Sequence, residues 1–181
     1  MVGPMFSGKS EWLVNRLRMH SVAGDQILAI RFSDDNRYGK SGIISHNKTK
    51  FEAASAKSSK DIKILTDQNN FQVLAIDEVQ FFDPSLIELL LELQLLGKSI
   101  YATGLDTDFT ATPWETTMRI MALSDLVEKR VAVCSVCKKL NATRTQRLLN
   151  GKPASKKSPR VLIGGKESYT ARCIIHHQVP D

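Results

Sequence analysis

The sequence predicts an α/β fold, in which a mostly parallel β-sheet with flanking helices is followed by a small β subdomain. Three short apolar runs, QILAIRF, FQVLAID and SIYATG, alternate with helical patterns over the first 128 of 181 residues. The runs are nearly continuous rather than alternating, which is typical of strands buried on both faces of a parallel sheet. Strands that alternate with helices in this way indicate an α/β sheet.

Three helices are predicted around these strands. The first covers KSEWLVNRLRMHSVAG, with apolar residues near one face and Gly24 as its C-cap. In the second, Asp83 can cap, Pro84 suits the first turn and Gly97 ends the helix. The third covers ETTMRIMALSD. Helices of this kind supply the crossover connections that parallel strands need.

The character of the chain changes after residue 128, and we place a domain boundary near Glu128–Val131. Residues 1–128 form the predicted α/β domain and residues 129–181 the β subdomain. The segments VAVCSVCKKLNATRTQRL, RVLIGG and SYTARC predict short strands joined by turns. The segment NGKPASKKSPR between them predicts an exposed, flexible loop.

Charge is distributed unevenly along the chain. The segment from Lys129 to Arg172 contains twelve Lys or Arg and one acid, a formal charge of +11, whereas the whole chain carries +6. A basic segment can bind nucleic acid or anionic substrates. A solvated, lysine-rich loop is the simpler interpretation, because Tyr169 is the segment's only aromatic residue for base stacking.

The overall composition is that of a globular chain, with 42% hydrophobic and 24% charged residues. No apolar run approaches the ~20 residues that span a bilayer, and the N-terminal residues lack the pattern of a signal peptide. We therefore expect a cytoplasmic location.

The segment GPMFSGKS matches the phosphate-loop pattern G-x-x-x-x-G-K-[ST]. Glycines let backbone N–H groups curl around an anion, and the N-terminus of the following helix adds a favourable dipole. Lys9 supplies positive charge for the β- and γ-phosphates, and Ser10 offers a hydroxyl to Mg²⁺. The fold is thus of the RecA-like phosphate-loop class, and the predicted nucleotide-binding residues are Gly3, Pro4, Met5, Phe6, Ser7, Gly8, Lys9 and Ser10.

Two carboxylates end the strand VLAIDE. Asp77 stands where phosphate-loop proteins place the aspartate that organises Mg²⁺. Glu78 follows at the carboxyl edge of the sheet, where open α/β sheets bind ligands. A carboxylate there can accept a proton from an attacking hydroxyl or from water. The spacing of these residues in the sequence does not decide between a kinase and an ATPase.

The three cysteines and one histidine form two ligand pairs, Cys134-x-x-Cys137 and Cys173-x-x-His176. Two pairs with no spare cysteine favour tetrahedral, structural zinc over redox chemistry. His177 is the alternative fourth ligand. A closed four-ligand site would stabilise a subdomain that has little core of its own, so we describe it as zinc-ribbon-like.

These motifs together resemble the type II thymidine kinases, the zinc-containing, tetrameric enzymes of bacteria and animals. The resemblance rests on GPMFSGKS, DDNRY, ISH, DEVQFF, GLDTDF, the C-x-x-C pair, ATRTQR, IGGKESY and ARC, which occur in the family's order. It implies transfer of the ATP γ-phosphoryl group to the 5′-hydroxyl of thymidine or deoxyuridine, with Mg²⁺ and structural Zn²⁺, in a homotetramer of the deoxynucleotide salvage route.

The resemblance also implies roles for individual residues. Glu78 matches the general base, Asp77 helps Lys9 and Ser10 to hold phosphate and metal, and Arg37 matches an arginine that contacts phosphates. Gln80 is expected to be a polar residue near the nucleotide. The deoxynucleoside pocket and the loop that closes over the base are expected to comprise Met5, Phe81, Leu105, Phe109, Trp114, Val161, Ile163, Gly164, Gly165 and Tyr169. Phe82 is assigned to the core.

The sequence departs from the family at three positions. Ile174 replaces an arginine in the closing zinc pair, and Trp114 stands where phenylalanine is commoner. Only Met1 and Val2 precede the first glycine of the phosphate loop, whereas relatives have a buried strand there. We therefore expect the chain to be N-terminally incomplete.

Two other functions are compatible with parts of the sequence. A phosphate-loop ATPase could use the zinc-stapled basic segment to bind nucleic acid, and would show salt-sensitive ATP turnover stimulated by DNA or RNA. A truncated, inactive relative would bind nucleotide without turnover. The motifs GLDTDF and GGKESY favour the kinase over both.

Overall fold

A computed structural model describes residues 1–34, 42–44, 50–162, 164–165 and 167–181 of the protein. The predicted α/β fold is confirmed. The helices are α1 (Lys9–Ala23), α2 (Ser59–Gln68), α3 (Leu86–Leu95) and α4 (Glu115–Leu123). The strands are β1 (Ile27–Phe32), β2 (Ile43–Ile44), β3 (Lys50–Phe51), β4 (Ala54–Ala56), β5 (Val73–Ile76), β6 (Ser99–Ala102), β7 (Ala132–Val133), β8 (Leu140–Ala142), β9 (Arg144–Leu149), β10 (Lys152–Pro153) and β11 (Tyr169–Arg172).

The central sheet has four parallel strands in the order β4-β1-β5-β6. Ile76 at the end of β5 is level with Ile30 of β1 on one side and with Ala102 of β6 on the other. The residues that follow these strands therefore meet at one edge of the sheet. All four residues of β5 are buried, as the continuous apolar run predicted.

Each face of the sheet carries its own apolar core. On one face, α1 packs through Leu13, Val14 and Leu17 against β-strand residues that include Ala29 and Ala75. On the other, residues of α2 and α3 pack against Leu28, Ile30, Leu74 and Ile76, in a cluster that also contains Phe82. Helices on both faces fix the sheet between them, so that its carboxyl edge is a rigid platform.

Val2 lies beside the free edge of β6. It forms parallel bridges with Gly104 and with Lys129. Its N–H donates to the carbonyl oxygen of Glu128, and its carbonyl oxygen accepts from the N–H of Arg130. The segment at the predicted domain boundary is thus hydrogen-bonded to the residue that precedes the phosphate loop. Among the described residues, no helix combines the length and apolar composition that a bilayer crossing requires.

The C-terminal region is built from short antiparallel strands. β9 pairs with β11 on one side and with β10 on the other, and β7 pairs with β8. The predicted strand RVLIGG is wrong in its described part, because residues 160–162 and 164–165 form no strand. The predicted flexible loop is also wrong in part, because Lys152 and Pro153 form β10 and Ala154 is buried.

Hydrogen bonds to Asp83 join the starts of α2 and α3. The Asp83 carboxylate accepts from the backbone N–H of Ser59 at 3.0 Å and from that of Ser85 at 3.2 Å. Burial raises the pKa of Asp83, but hydrogen bonds from Ser59 and Ser85 outweigh this effect and hold the pKa well below its usual range. The charged carboxylate is therefore the form that stabilises the fold.

We expect Asp83→Ala to lower the free energy of unfolding by about 1 kcal/mol at pH 7, the usual net contribution of a hydrogen bond. A depressed folded-state pKa contributes stability above the unfolded pKa and loses it as pH falls. The difference from wild type should therefore shrink below pH 4 in urea titrations. Asp67→Ala, which removes an exposed Lys63 pair, is the control and should change stability by less than about 0.5 kcal/mol. Equal effects of the two substitutions would contradict the assignment.

Candidate functional site

The phosphate loop connects Val2 to α1 and has the left-handed conformations that its glycines permit. Gly8 has φ 79° and Gly3 has φ 148°. A Cβ atom on Gly3 would lie 2.5 Å from the carbonyl oxygen of Arg130, a distance that no side chain tolerates. The loop can therefore approach the 128–130 segment only with glycine at this position.

Side chains within the loop hold its shape. The Nζ of Lys9 and the hydroxyl of Ser7 both donate to the carbonyl oxygen of Pro4 at 2.8 Å. The N–H of Met5 donates to the hydroxyl of Thr145 in β9 at 3.0 Å. Phe6 packs against the small apolar cluster of the C-terminal region. The loop is thus anchored at its α1 end and from the C-terminal region.

Asp77 follows β5 and is buried at the carboxyl edge of the sheet. Its carboxylate accepts hydrogen bonds from the hydroxyls of Thr103, after β6, and Ser10, at the start of α1. Burial raises the pKa of Asp77 to about 6 and the charge of Glu78 adds to the rise, while the bonds from Thr103 and Ser10 oppose it. The hydroxyl of Ser10 and the carboxylate of Asp77 therefore already face each other. Oxygen ligands of these two kinds suit Mg²⁺.

Glu78 adopts the left-handed conformation, with φ 59° and ψ 45°. Its N–H donates to Asp77 Oδ1 at 3.0 Å, and its side chain accepts from Gln80 Nε2 at 2.5 Å. The amide oxygen of Gln80 in turn accepts from the N–H of Leu105 at 2.9 Å. A strained backbone held by its neighbours is a common feature of functional sites. Here it directs Glu78 toward a cavity.

That cavity lies next to the phosphate loop, and Glu78 and Met5 both line it. Its other lining residues come from the loops after β5 and β6, from β9 and from the 160–164 segment. They are Gln80, Phe81, Leu105, Asp108, Phe109, Trp114, Thr145, Arg147, Arg160, Val161, Leu162, Gly164 and Tyr169. The aromatic rings of Phe81 and Trp114 meet edge to face, with centroids 6.0 Å apart.

Eight of the residues predicted to contact the deoxynucleoside line this cavity. They are Met5, Phe81, Leu105, Phe109, Trp114, Val161, Gly164 and Tyr169. Gly165 does not line it, and Ile163 and Arg37 lie outside the described residues. Gln80, which was expected to be a polar residue near the nucleotide, lines the same cavity.

Several lining residues were not predicted. Thr145, Arg147 and Arg160 come from the basic C-terminal segment, of which only Val161, Ile163, Gly164, Gly165 and Tyr169 were predicted to contact the nucleoside. Arg147 is buried and its guanidinium lies 4.0 Å from the centre of the Phe109 ring. The cation on a ring face is a favourable arrangement that no local motif encodes.

The second site is the cluster of Cys134, Cys137, Cys173 and His176, whose potential ligand atoms all lie within 4.8 Å of one another. The Nδ1 of His176 is 3.1 Å from the sulfur of Cys173 and 3.7 Å from that of Cys134. A tetrahedral zinc ion with Zn–S bonds of about 2.3 Å needs ligands roughly 3.5–4 Å apart. The cluster could therefore form a zinc site.

The surroundings of the cluster fit a thiolate-bound metal. Burial raises the pKa of the Cys134 thiol, but hydrogen bonds from backbone groups of Cys173, Cys137 and Val136 outweigh it and lower the pKa to about 5. His177 has another contact, because its Nε2 donates to the carbonyl oxygen of Phe109 at 2.8 Å. Of the two histidines, the geometry therefore favours His176 as the ligand.

A comparison with protein families matches nearly the whole chain to one family. The family model described as thymidine kinase matches residues 1–177. The matched range contains the phosphate loop, both carboxylates, the aromatic cavity and the four residues of the Cys₃His cluster.

The raised pKa of Asp77 predicts that its charge destabilises the fold when no cation is bound. A folded-state pKa above the unfolded value gives stability that is present below pH 4 and lost as pH rises through about 6. We expect Asp77→Asn to raise the free energy of unfolding by about 1–3 kcal/mol at pH 8 in magnesium-free buffer, with a gain that shrinks toward pH 4. Thermal unfolding across pH measures this, with the exposed Asp125→Asn as control. An unchanged or lower Tm at pH 8 would contradict it.

For the Cys₃His cluster, elemental analysis should find about one zinc per chain. We expect His176→Ala to lose the metal and several kcal/mol of folding free energy, because a structural metal contributes directly to folding. His177→Ala is the matched control and should retain zinc. Zinc that is retained in His176→Ala and lost in His177→Ala would assign the ligand to the other histidine.

Proposed function

The chain belongs to the thymidine kinase family, and from this membership we propose that it transfers the γ-phosphoryl group of ATP to the 5′-hydroxyl of thymidine or deoxyuridine. The products are ADP and the nucleoside monophosphate, dTMP in the case of thymidine. The observation that supports the proposal most directly is that the phosphate loop and the aromatic cavity share a residue. Met5 belongs to the phosphate loop and also lines the aromatic cavity into which Glu78 faces.

Glu78 is proposed as the general base. It accepts the proton of the 5′-hydroxyl as that oxygen attacks the γ-phosphorus, and the bond to the ADP oxygen breaks. A base must lie within hydrogen-bond reach of its proton in a fixed orientation. The hydrogen bond from Gln80 and the left-handed backbone of Glu78 provide that orientation.

Lys9, Ser10 and Asp77 are proposed to hold the triphosphate end. Phosphoryl transfer depends on positioning and on neutralising charge, rather than on covalent chemistry by the protein. Lys9 replaces its bond to the Pro4 carbonyl with bonds to phosphate oxygens. Mg²⁺, when bound, neutralises charge on the β- and γ-phosphate oxygens, and Ser10 and Asp77 would hold it. Arg37 is a further proposed phosphate contact.

The aromatic cavity is proposed to bind the base and the sugar. Phe81, Phe109 and Trp114 give apolar surface that excludes water, and a dry site strengthens the electrostatic interactions of the reaction. The main chain of the 161–165 segment is proposed to read the pyrimidine edge. A homotetramer and a cytoplasmic location are what the resemblance to the family implies.

We expect Glu78→Gln to lower thymidine-dependent turnover by ~10²–10⁴-fold, the usual contribution of a general base. The amide keeps the size of the side chain but cannot take a proton, so ATP affinity should be unchanged. The assay follows ADP release with and without thymidine, together with direct ATP binding. Glu88→Gln, an exposed carboxylate on α3, is the control and should retain wild-type turnover.

The same assay separates the proposal from its alternatives. ATP turnover that ignores thymidine but rises with added DNA or RNA would indicate a nucleic-acid-dependent ATPase. ATP binding without turnover in the wild-type chain would indicate an inactive relative. Near-normal turnover by the Glu78→Gln variant would remove Glu78 from the role of base.

A further inference from the structure

We propose that Arg160 is a positioning residue for the nucleoside, and that its ion pair with Asp108 fastens the 159–162 segment across the aromatic cavity. The inference rests on the proposed function, because it assigns this cavity to the nucleoside. It concerns residues outside the phosphate loop, the carboxylate pair and the zinc cluster.

Arg160 contacts the opposite wall of the cavity in three ways. Its Nε donates to Asp108 Oδ2 at 2.7 Å, and its Nη2 donates to the carbonyl oxygen of Pro113 at 2.8 Å. Its guanidinium also lies 4.0 Å from the centre of the Trp114 ring. These partners all belong to the loop between β6 and α4, so that Arg160 bridges two walls that are about fifty residues apart in sequence.

Asp108 is a fixed acceptor. Its side chain is 4% exposed, and its Oδ1 accepts from the N–H groups of Thr110 and Thr112 at 2.9 and 3.1 Å. These bonds hold the carboxylate in one orientation and leave Oδ2 to Arg160. A preorganised, buried partner makes an ion pair stronger than one between two mobile surface side chains.

Arg147 anchors the same segment from the other side. Its guanidinium donates to the carbonyl oxygens of Pro159 and Arg160, and its Nε donates to the hydroxyl of Tyr169 at 3.0 Å. The hydroxyl of Tyr169 in turn donates to the carbonyl oxygen of Leu162 at 2.6 Å. The main chain of the segment is therefore bound to buried groups of β9 and β11, while Arg160 reaches outward to the far wall.

The cavity is narrow when Arg160 is in this position. Its volume is about 40 Å³, whereas pockets that bind small molecules are ~300–1,000 Å³. A nucleoside therefore needs a wider cavity, and we infer that the segment moves away from Asp108 and Trp114 to admit it. The side chain of Arg160 is 45% exposed, so water can replace its contacts. The Arg160–Asp108 pair thus suits a contact that breaks to admit the nucleoside and re-forms to retain it.

The predicted effect falls on nucleoside binding rather than on chemistry. We expect Arg160→Ala to raise the KM and the dissociation constant for thymidine roughly tenfold, a loss of about 1.4 kcal/mol, with kcat within about twofold of wild type. The KM for ATP should be unchanged, because Arg160 does not contact the phosphate loop. Arg160→Lys keeps the charge and should restore part of the affinity.

A double-mutant cycle tests the pairing itself. Arg160→Ala and Asp108→Asn should each weaken thymidine binding, and the double variant should be no weaker than the worse single variant. Lys156→Ala is the matched control. It removes a cation that precedes the 159–162 segment and pairs with Asp181 at an exposed position, and it should leave thymidine binding unchanged.

The outcomes distinguish this inference from the function on which it rests. Unchanged thymidine binding in Arg160→Ala would overturn the positioning role while leaving the kinase assignment intact. The same holds if the fold-losses of thymidine affinity in the two single variants multiply in the double variant. A fall in kcat at unchanged KM would also overturn it. A wild-type chain that neither binds nor phosphorylates thymidine would overturn both proposals together.

Discussion

The buried carboxylate of Asp77 is the constraint on which the site depends. It accepts from Ser10 at the start of α1, from Thr103 after β6 and from the N–H of Glu78. One side chain therefore ties the phosphate loop, two strands and the proposed base together at the carboxyl edge of the sheet. Burial, together with the charge of Glu78, raises the pKa of this group to about 6, so its surroundings disfavour the ionised form. Perturbed carboxylates of this kind are concentrated at functional sites.

The central strands could be predicted from sequence because burial on both faces leaves a continuous apolar run. The missed elements lack that signal. β4 consists of Ala54–Ala56, which are too small to mark an apolar face, and only Ser59, Ile62 and Thr66 of α2 are buried. The capping box formed by Ser58 and Asp61 was a readable sign of α2. RVLIGG has the composition of a strand, yet the Arg160 and Leu162 carbonyls accept from side chains instead of a neighbouring strand.

The same distinction applies to the site. Lys9, Ser10 and Asp77 could be proposed from short motifs, because their proposed roles depend on neighbours in sequence. Arg147 could not, because its role depends on carbonyl groups twelve and thirteen residues away and on the Phe109 ring across the cavity. Gln80 was predicted as a polar site residue, but the sequence does not show that its amide bridges Glu78 and Leu105.

The Cys₃His cluster is linked to both parts of the candidate site through residues that adjoin it. His176 belongs to the cluster, and the adjacent His177 donates to the carbonyl oxygen of Phe109, a wall of the cavity. On its other side the cluster packs against Phe6 of the phosphate loop. The structure of the cluster therefore constrains both the aromatic cavity and the phosphate loop. A metal bound at the cluster would therefore stabilise this small subdomain and help to hold the aromatic cavity and the phosphate loop in their relative positions.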